Sequence, residues 1–146
     1  MARWLSPRMA WWLLVGYVVV VALLVFEPYP HAANDATHLG HRLLADIGIR
    51  GVFSRQAVGF TLNVALFVPL TFLAAQAFRG VPRWLWAVIG MLGSGAIELT
   101  QLFFFPDRSA SFGDLTANTL GAVVGVLAAA GLDRRRATEP SARQDG

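Results

Sequence analysis

The sequence contains no cysteine and no lysine, and few of its residues are charged. Without cysteine, the chain can form no disulfide bond, no thiolate metal site and no cysteine nucleophile. Without lysine, it can carry neither a Schiff-base lysine nor the lysine of a phosphate-binding P-loop. Charged residues make up 14% of its 146 residues, whereas soluble domains average roughly 25%. These absences exclude several enzyme classes and argue against a soluble fold.

Apolar residues dominate what is present. They account for 55% of the chain, and the mean hydropathy is +0.53. A chain this short cannot bury so much apolar surface in one core, so lipid must cover part of it. The net charge of +3 comes from arginines that lie at the ends of apolar stretches. This placement is typical of membrane topology, and we expect no nucleic-acid partner.

Four apolar stretches approach the length of about 20 residues that a membrane-spanning helix needs. They are residues 9–26, 57–78, 84–105 and 115–132. Backbone groups in hydrocarbon must be paired within the segment, and the alternation typical of barrel strands is missing. The sequence therefore predicts an all-α integral membrane bundle of four transmembrane helices. The first stretch is longer than the core of a signal peptide, so we expect an uncleaved span.

The arginine distribution predicts that both termini are cytoplasmic. Four spans place the two termini on one side, and cytoplasmic segments carry more arginine than outer ones. With the N-terminus inside, the inner segments hold eight arginines: Arg3, Arg8, Arg79, Arg83, Arg134, Arg135, Arg136 and Arg143. The outer segments hold four: Arg42, Arg50, Arg55 and Arg108. We expect a multi-pass plasma-membrane protein with a cytoplasmic N-terminus (1–8) and a disordered cytoplasmic tail (133–146).

The predicted outer loop, residues 27–56, contains a helical pattern. Leu39, Leu43 and Ile47 recur every four residues, which predicts a short amphipathic helix on the outer membrane surface. His38 and His41 lie three residues apart in the same segment. Metal binding needs three or four converging ligands, so we expect no metal site and no other cofactor.

Polar residues in and beside the spans gather at one predicted depth. Glu98 is the only ionisable residue well inside a span. Because an ionisable group costs free energy inside the membrane, we take Glu98 as a candidate functional residue. The topology places five others at the same outer depth: Asn63, Gln101, Arg108, Asp114 and Asn118. Such residues can be interhelical contacts alone, each contributing about 0.6–2 kcal/mol. We favour a ligand-facing site, with no residue assigned a catalytic role.

Small residues indicate close packing of the helices. Gly121, Gly125 and Ala129 share one face of the fourth predicted span, which lets a neighbouring backbone approach closely. Pro69 is expected to kink the second span. We expect these faces to pack within one chain, while a homo-oligomer or an envelope-protein partner stays open.

Four sequence segments together resemble the VanZ-like family of small membrane proteins. They are residues 63–70, beginning at Asn63; residues 97–103, with Glu98 and Gln101; Arg108 with Asp114 six positions later; and residues 117–125, with Asn118. The resemblance covers about residues 57–130. Ser111 departs from it, because many members carry an acidic residue at that position.

The family resemblance implies a location and a motif rather than an activity. The founding member is associated with resistance to the glycopeptide antibiotic teicoplanin, in gene clusters that remodel peptidoglycan. The resemblance therefore implies a cell-envelope membrane protein, with a weaker implication of antibiotic resistance.

Several functions fit these observations. We favour a non-enzymatic envelope protein whose outer-leaflet polar pocket binds a lipid headgroup, a lipid-linked glycan or an amphiphilic glycopeptide. A membrane enzyme acting on a lipid-linked substrate, with Glu98 or Asp114 as acid or base, is the first alternative. An ion-coupled transporter using Glu98 is the second, and a purely structural partner protein is the third.

Overall fold

The protein is an assembly of helices. The computed structural model describes residues 5–26, 31–46, 54–104 and 111–138. Within these residues the helices are α1 (Pro7–Val25), α2 (His31–Asp46), α3 (Arg55–Ala77), α4 (Arg83–Phe104) and α5 (Phe112–Thr138). All except α2 are long and apolar enough to cross a membrane. The predicted all-α fold with four spanning helices is confirmed, and the cytoplasmic placement of both termini stays a prediction.

Serine residues determine where three of the long helices begin. The Ser6 hydroxyl accepts from the Met9 N–H at 3.2 Å, and the Ser54 hydroxyl accepts from the Ala57 N–H at 3.1 Å. Ser111 does the same before α5, accepting from the Gly113 N–H at 3.1 Å. Such caps satisfy backbone donors that have no partner inside the helix. The helices therefore start two or three residues before the apolar stretches seen in the sequence.

Helix α3 lies at the centre of the packing. The Tyr17 hydroxyl of α1 donates to the Leu66 carbonyl of α3 at 2.8 Å, and α1 runs antiparallel to α3. Helices α3 and α5 run parallel, because two hydrogen bonds between them each link residues 51 positions apart. Helix α4 runs antiparallel to α5 and also touches α3. The arrangement brings the end of α4 and the starts of α3 and α5 to one end of the bundle.

The interface between α3 and α5 depends on two glycines. A Cβ atom at Gly121 would run into the Val64 carbonyl, and one at Gly125 into the Val68 carbonyl. Thr71 is buried here, with its hydroxyl oxygen 3.0 Å from the Ala122 carbonyl oxygen. The small-residue face of α5 is thus used within the chain, against the backbone of α3.

Pro69 lies inside α3, where it removes a backbone donor. The Ala65 carbonyl, four residues earlier, therefore lacks its usual helical partner. The hydroxyl of Tyr17 donates to the next carbonyl along, that of Leu66. A side chain from a neighbouring helix is a common way to supply hydrogen bonds beside a membrane proline.

Helix α5 continues past the predicted end of the fourth span. It reaches Thr138, so the prediction of a disordered tail is wrong for residues 133–138. The hydropathy pattern marks where apolar residues stop, whereas the backbone ladder of a helix can continue beyond that point. Asp133 is held by an ion pair with Arg83 of α4. Residues 139–146 lie outside the described part of the chain.

Helix α2 lies in the segment that the sequence assigned to the outer loop. It packs on α3, where a Cβ atom at Gly40 would lie 3.0 Å from Val58 Cγ1. Leu39 and Leu43 are exposed on its surface. Ile47, the third apolar residue of the predicted helical pattern, lies outside the described residues.

Candidate functional site

Glu98 projects from the last turns of α4 toward the start of α5. Its Oε2 atom accepts a hydrogen bond of 2.8 Å from the backbone N–H of Ser111, the residue that caps α5. The carboxylate therefore lies at a helix N-terminus, where the unpaired N–H groups and the helix dipole favour negative charge.

A second carboxylate is fixed in the first turn of the same helix. Asp114 Oδ1 accepts a hydrogen bond of 2.6 Å from Asn63 Nδ2, and the bond joins α3 to α5. A hydrogen bond to an ionised acceptor is roughly twice as strong as one between neutral groups. Glu98 and Asp114 thus both lie at the start of α5, each held by a donor on another part of the chain.

Asn118 and Ser94 form a buried pair one helical turn deeper. Asn118 Nδ2 donates to Ser94 Oγ at 2.9 Å. Asn118 is 6% exposed, and its Oδ1 atom is buried without a hydrogen-bond partner. Each residue lies four positions from a carboxylate on its own helix, which corresponds to about 6 Å along the axis.

Gln101 joins α4 to α1 rather than to α5. Its Nε2 atom donates to the Val25 carbonyl at 3.1 Å, and the side chain is buried. The sequence predicts that Gln101 and Glu98 project from the same face of one helix. In the structure they contact different helices, so Gln101 acts as an interhelical link beside the carboxylates.

The described members of the predicted cluster lie at one end of the four long helices. Asn63, Glu98, Gln101, Asp114 and Asn118 all lie there, in separate hydrogen-bonded pairs. They extend over about one helical turn, whereas the sequence predicts a single depth. Arg108 lies outside the described residues.

An open pocket lies beside Glu98. It measures about 140 Å³ and is lined by Glu98, Ser111, Phe112 and Leu115. Phe112, one of the lining residues, is 89% exposed, and Phe103 and Phe104 at the end of α4 are each 75% exposed. Glu98 is thus one of the residues that line the pocket, whose exposed lining is mostly apolar. A larger hollow along α2, lined by residues of that helix, contains none of the predicted cluster.

The sequence assigned no place in the site to two of its residues. Ser111 holds Glu98 and caps α5, and Ser94 pairs with Asn118. The spacing Ser111-x-x-Asp114 is a capping-box pattern and could have identified the first. Ser94 had no such signal. Within the described residues, no three His, Asp or Glu side chains are grouped to hold a metal ion.

Apolar helices able to span a bilayer, with carboxylate and amide pairs collected between them at one end, define a multi-pass membrane protein with a polar site near one surface. The chain belongs to the VanZ/LLP1 family, whose model matches residues 14–132. This match confirms the family resemblance, and it covers every residue of the site. Comparisons with curated proteins and with solved structures returned no match.

Proposed function

We propose that this protein is a non-enzymatic plasma-membrane protein of the bacterial cell envelope. Its pocket beside Glu98 binds the polar group of a membrane amphiphile in the outer leaflet. The candidate ligands are a lipid headgroup, a lipid-linked glycan and an amphiphilic glycopeptide. The observation that carries the proposal is the open pocket of about 140 Å³ with Glu98 in its wall, at the end of the spanning helices.

The depth of the pocket supports a headgroup as the bound part. Glu98 lies six residues before the end of α4 at Phe104, which corresponds to about 9 Å along the helix axis. A headgroup at the membrane surface reaches this depth without entering the middle of the bilayer. The exposed aromatic side chains of Phe103, Phe104 and Phe112 suit contact with the adjoining acyl chains.

Donors on other segments of the chain fix both carboxylates of the site. The N–H of Ser111 donates to Glu98, and the amide of Asn63 donates to Asp114. A carboxylate fixed in this way can hold a ligand, and it can also act as a general acid or base. The enzyme and transporter alternatives therefore use the same residues as the binding proposal, and Arg108 belongs to the proposed site on sequence grounds alone.

Lipid retention by pocket variants tests the proposal. We expect wild-type protein purified in mild detergent to carry bound amphiphile, detected by native mass spectrometry. Leu115→Trp should lose it, because the larger ring fills the pocket that Leu115 lines. Leu127→Trp is the matched control, since Leu127 lies on the same helix, 63% exposed.

Equal retention by the folded Leu115→Trp and Leu127→Trp variants would contradict the proposal. Thermal unfolding in the same detergent shows whether each variant is folded. Chemical conversion of the bound lipid by wild type, abolished in Glu98→Gln, would favour the enzyme alternative instead.

We also propose that the carboxylate-bearing end faces outward. Arg8, Arg79, Arg83, Arg134 and Arg135 lie toward the opposite end of the helices, and arginine-rich segments stay in the cytoplasm. The cysteine-free chain allows single reporters: Ala36→Cys on α2 and Gly80→Cys in the turn between α3 and α4. An impermeant thiol reagent should label position 36 and spare position 80 in intact cells. The reverse pattern would invert the orientation.

A contribution to glycopeptide resistance is proposed as a consequence of headgroup binding. An amphiphilic glycopeptide of the teicoplanin type inserts an acyl chain into the same outer leaflet. Expression in a susceptible host should raise the inhibitory concentration of an acylated glycopeptide more than that of a non-acylated one. The Leu115→Trp variant should abolish the difference, and an equal change for both drugs would contradict this part.

A further inference from the structure

The hollow along α2 is lined by both polar and apolar side chains. Its lining residues are Asp35, Ala36, His38, Leu39 and Arg42. All five are exposed, and none of them lines the pocket beside Glu98. The volume of this α2 hollow, about 460 Å³, lies within the range of roughly 300–1,000 Å³ that is typical of small-molecule sites.

The helical repeat arranges side chains at the α2 hollow in two neighbouring stripes. Asp35, His38 and Arg42 follow the spacing i, i+3, i+7, which places them on one face of the helix. Leu39 and Leu43 each lie one residue further along, so they form an apolar stripe about 100° around the helix from the polar one. These leucines are 57% and 56% exposed. A polar stripe beside an exposed apolar stripe is a surface that suits an amphiphile.

The polar stripe is available to a group outside the chain. Among the residues that the structure describes, no hydrogen bond or ion pair involves the side chains of Asp35, His38 and Arg42. Asp46 lies four residues after Arg42, a spacing that allows an ion pair on a helix, yet the two side chains do not pair. The guanidinium of Arg42 presents its N–H donors in a planar fork that matches a phosphate. A histidine side chain offers at least one further N–H donor.

The contact of α2 with α3 places the hollow at the depth of lipid headgroups. Gly40 packs against Val58, since a Cβ atom at Gly40 would lie 3.0 Å from Val58 Cγ1. Val58 is the fourth residue of α3, about 5 Å along the axis from the start of this spanning helix. Helix α2 has 16 residues and is not among the described helices able to cross a bilayer. At this depth exposed leucines meet acyl chains, and an arginine side chain meets phosphates.

We propose that the α2 hollow binds the phosphate of a membrane phospholipid. Arg42 and His38 donate to the phosphate oxygens, and the adjoining acyl chain lies along Leu39 and Leu43. Asp35 lies seven residues before Arg42, about 10 Å along the helix axis, so its charge is not beside the phosphate. The bound lipid holds α2 against the membrane surface. This inference goes beyond the function proposed for the other pocket and does not rest on it.

A reporter beside the hollow tests the inference in the full chain. Leu43→Cys gives a single thiol in a cysteine-free sequence, and a bimane fluorophore attached there follows Arg42 directly. The labelled protein, delipidated in an uncharged detergent, is titrated with a phosphatidylcholine that carries a nitroxide quencher on its acyl chain. We expect saturable quenching, and unlabelled phosphatidylcholine should compete. A digalactosyl diacylglycerol with the same acyl chains lacks the phosphate and should compete roughly tenfold less well.

Two arginine variants of the labelled protein separate the site from general charge. Arg42→Gln removes the guanidinium and should weaken the affinity for the quencher lipid roughly tenfold. Arg55→Gln is the matched control, because Arg55 is exposed at the start of α3, on the same membrane surface, and does not line the hollow. This variant should bind the lipid as the unaltered labelled protein does. Thermal unfolding in the same detergent shows that each variant is folded.

Four contrary results would each overturn the inference. Equal affinities of Arg42→Gln and Arg55→Gln would show that the hollow does not recognise the phosphate. Equal competition by the galactolipid would show that apolar contact alone attracts the lipid, and competition by inorganic phosphate as effective as that by the lipid would identify a soluble anion. Fluorescence that changes with protein concentration and not with lipid would indicate a second copy of the chain on α2. Lipid retention by Leu115→Trp tests the proposed function separately.

Discussion

The two ends of the helix bundle use their polar residues differently. At the carboxylate end, defined by Asn63, Glu98 and Asp114, the polar side chains point between the helices. Asn63 donates to Asp114, and the backbone N–H of the residue that caps α5 donates to Glu98. At the arginine end, defined by Arg79, Arg83 and Asp133, these three charged groups lie near the surface, although Gln76 close by is buried. The ion pair of Arg83 with Asp133 leaves 41% and 26% of the two side chains exposed.

The difference indicates distinct roles for the two ends. Arg79 donates to the carbonyl of Leu5, just before α1, at 3.3 Å, and Phe78 stacks on Trp86 with ring centroids 5.4 Å apart. These contacts tie helix ends together at the membrane surface, where long arginine side chains stay hydrated. At the carboxylate end, polar pairs join the helices as well, and Glu98 also lines a pocket. Anchoring explains the first set, whereas the pocket beside the second set is the basis of the proposed ligand binding.

The largest expected effect comes from breaking the helix pair that joins the two ends. Gly125→Val should destabilise the protein by about 3 kcal/mol or more, because no space exists for a Cβ atom against the Val68 carbonyl and Thr71. Helices α3 and α5 then cannot approach, and both the Asn63–Asp114 bond and the pocket should be lost. Unfolding in detergent, followed by circular dichroism, measures the change.

Gly131→Val is the matched control on the same helix. A Cβ atom at Gly131 has open space around it, so this variant should lie within about 0.5 kcal/mol of wild type. Similar stability of the two variants would show that the close contact of α3 with α5 does not hold the two ends together.

An intermediate effect is expected at the carboxylate end. A double-mutant cycle with Asn63→Ala and Asp114→Ala should give a coupling free energy of about 1–2 kcal/mol, because the bond is partly buried and its acceptor is charged. Unfolding of the four proteins in one detergent supplies the values. Additive effects would mean that the bond is formed without stabilising the bundle.

The smallest effect is expected at the arginine end. The matching cycle with Arg83→Ala and Asp133→Ala should give about 0–1 kcal/mol, because water and headgroups screen partly exposed ion pairs. High salt should reduce this coupling further. A coupling larger than that of Asn63 with Asp114 would reverse the comparison between the two ends.

The sequence was sufficient to locate the four apolar spans, but it did not determine where their helices begin and end. Hydropathy located four apolar stretches, because a bilayer imposes a length and an apolar composition on any helix that crosses it. It placed the start of α5 at Leu115 and its end at Leu132, whereas the helix runs from Phe112 to Thr138. A serine cap determines the first boundary and a backbone ladder that continues past the apolar residues determines the second. Neither depends on hydropathy.

For the candidate site, sequence reasoning identified residues but not their partners. It selected Glu98, Asp114, Asn63 and Asn118 because polar groups are costly inside spans. It could not assign Ser111 as the donor to Glu98, because that contact requires the end of α4 to meet the start of α5. It also could not separate Gln101, which turns to Val25 of α1, from its neighbour Glu98.

The sequence alone determined that this is a helical membrane protein of the VanZ/LLP1 family with polar residues at one end of its spans, because composition and periodicity are local properties of a chain. Tertiary structure decided the parallel contact of α3 with α5, the separate hydrogen-bonded pairs and the pocket beside Glu98. Those features depend on which helix faces meet, and packing decides this. Gly121 and Gly125 have no Cβ atom, so the backbone of α3 can approach α5 closely. This contact places Asn63 beside Asp114.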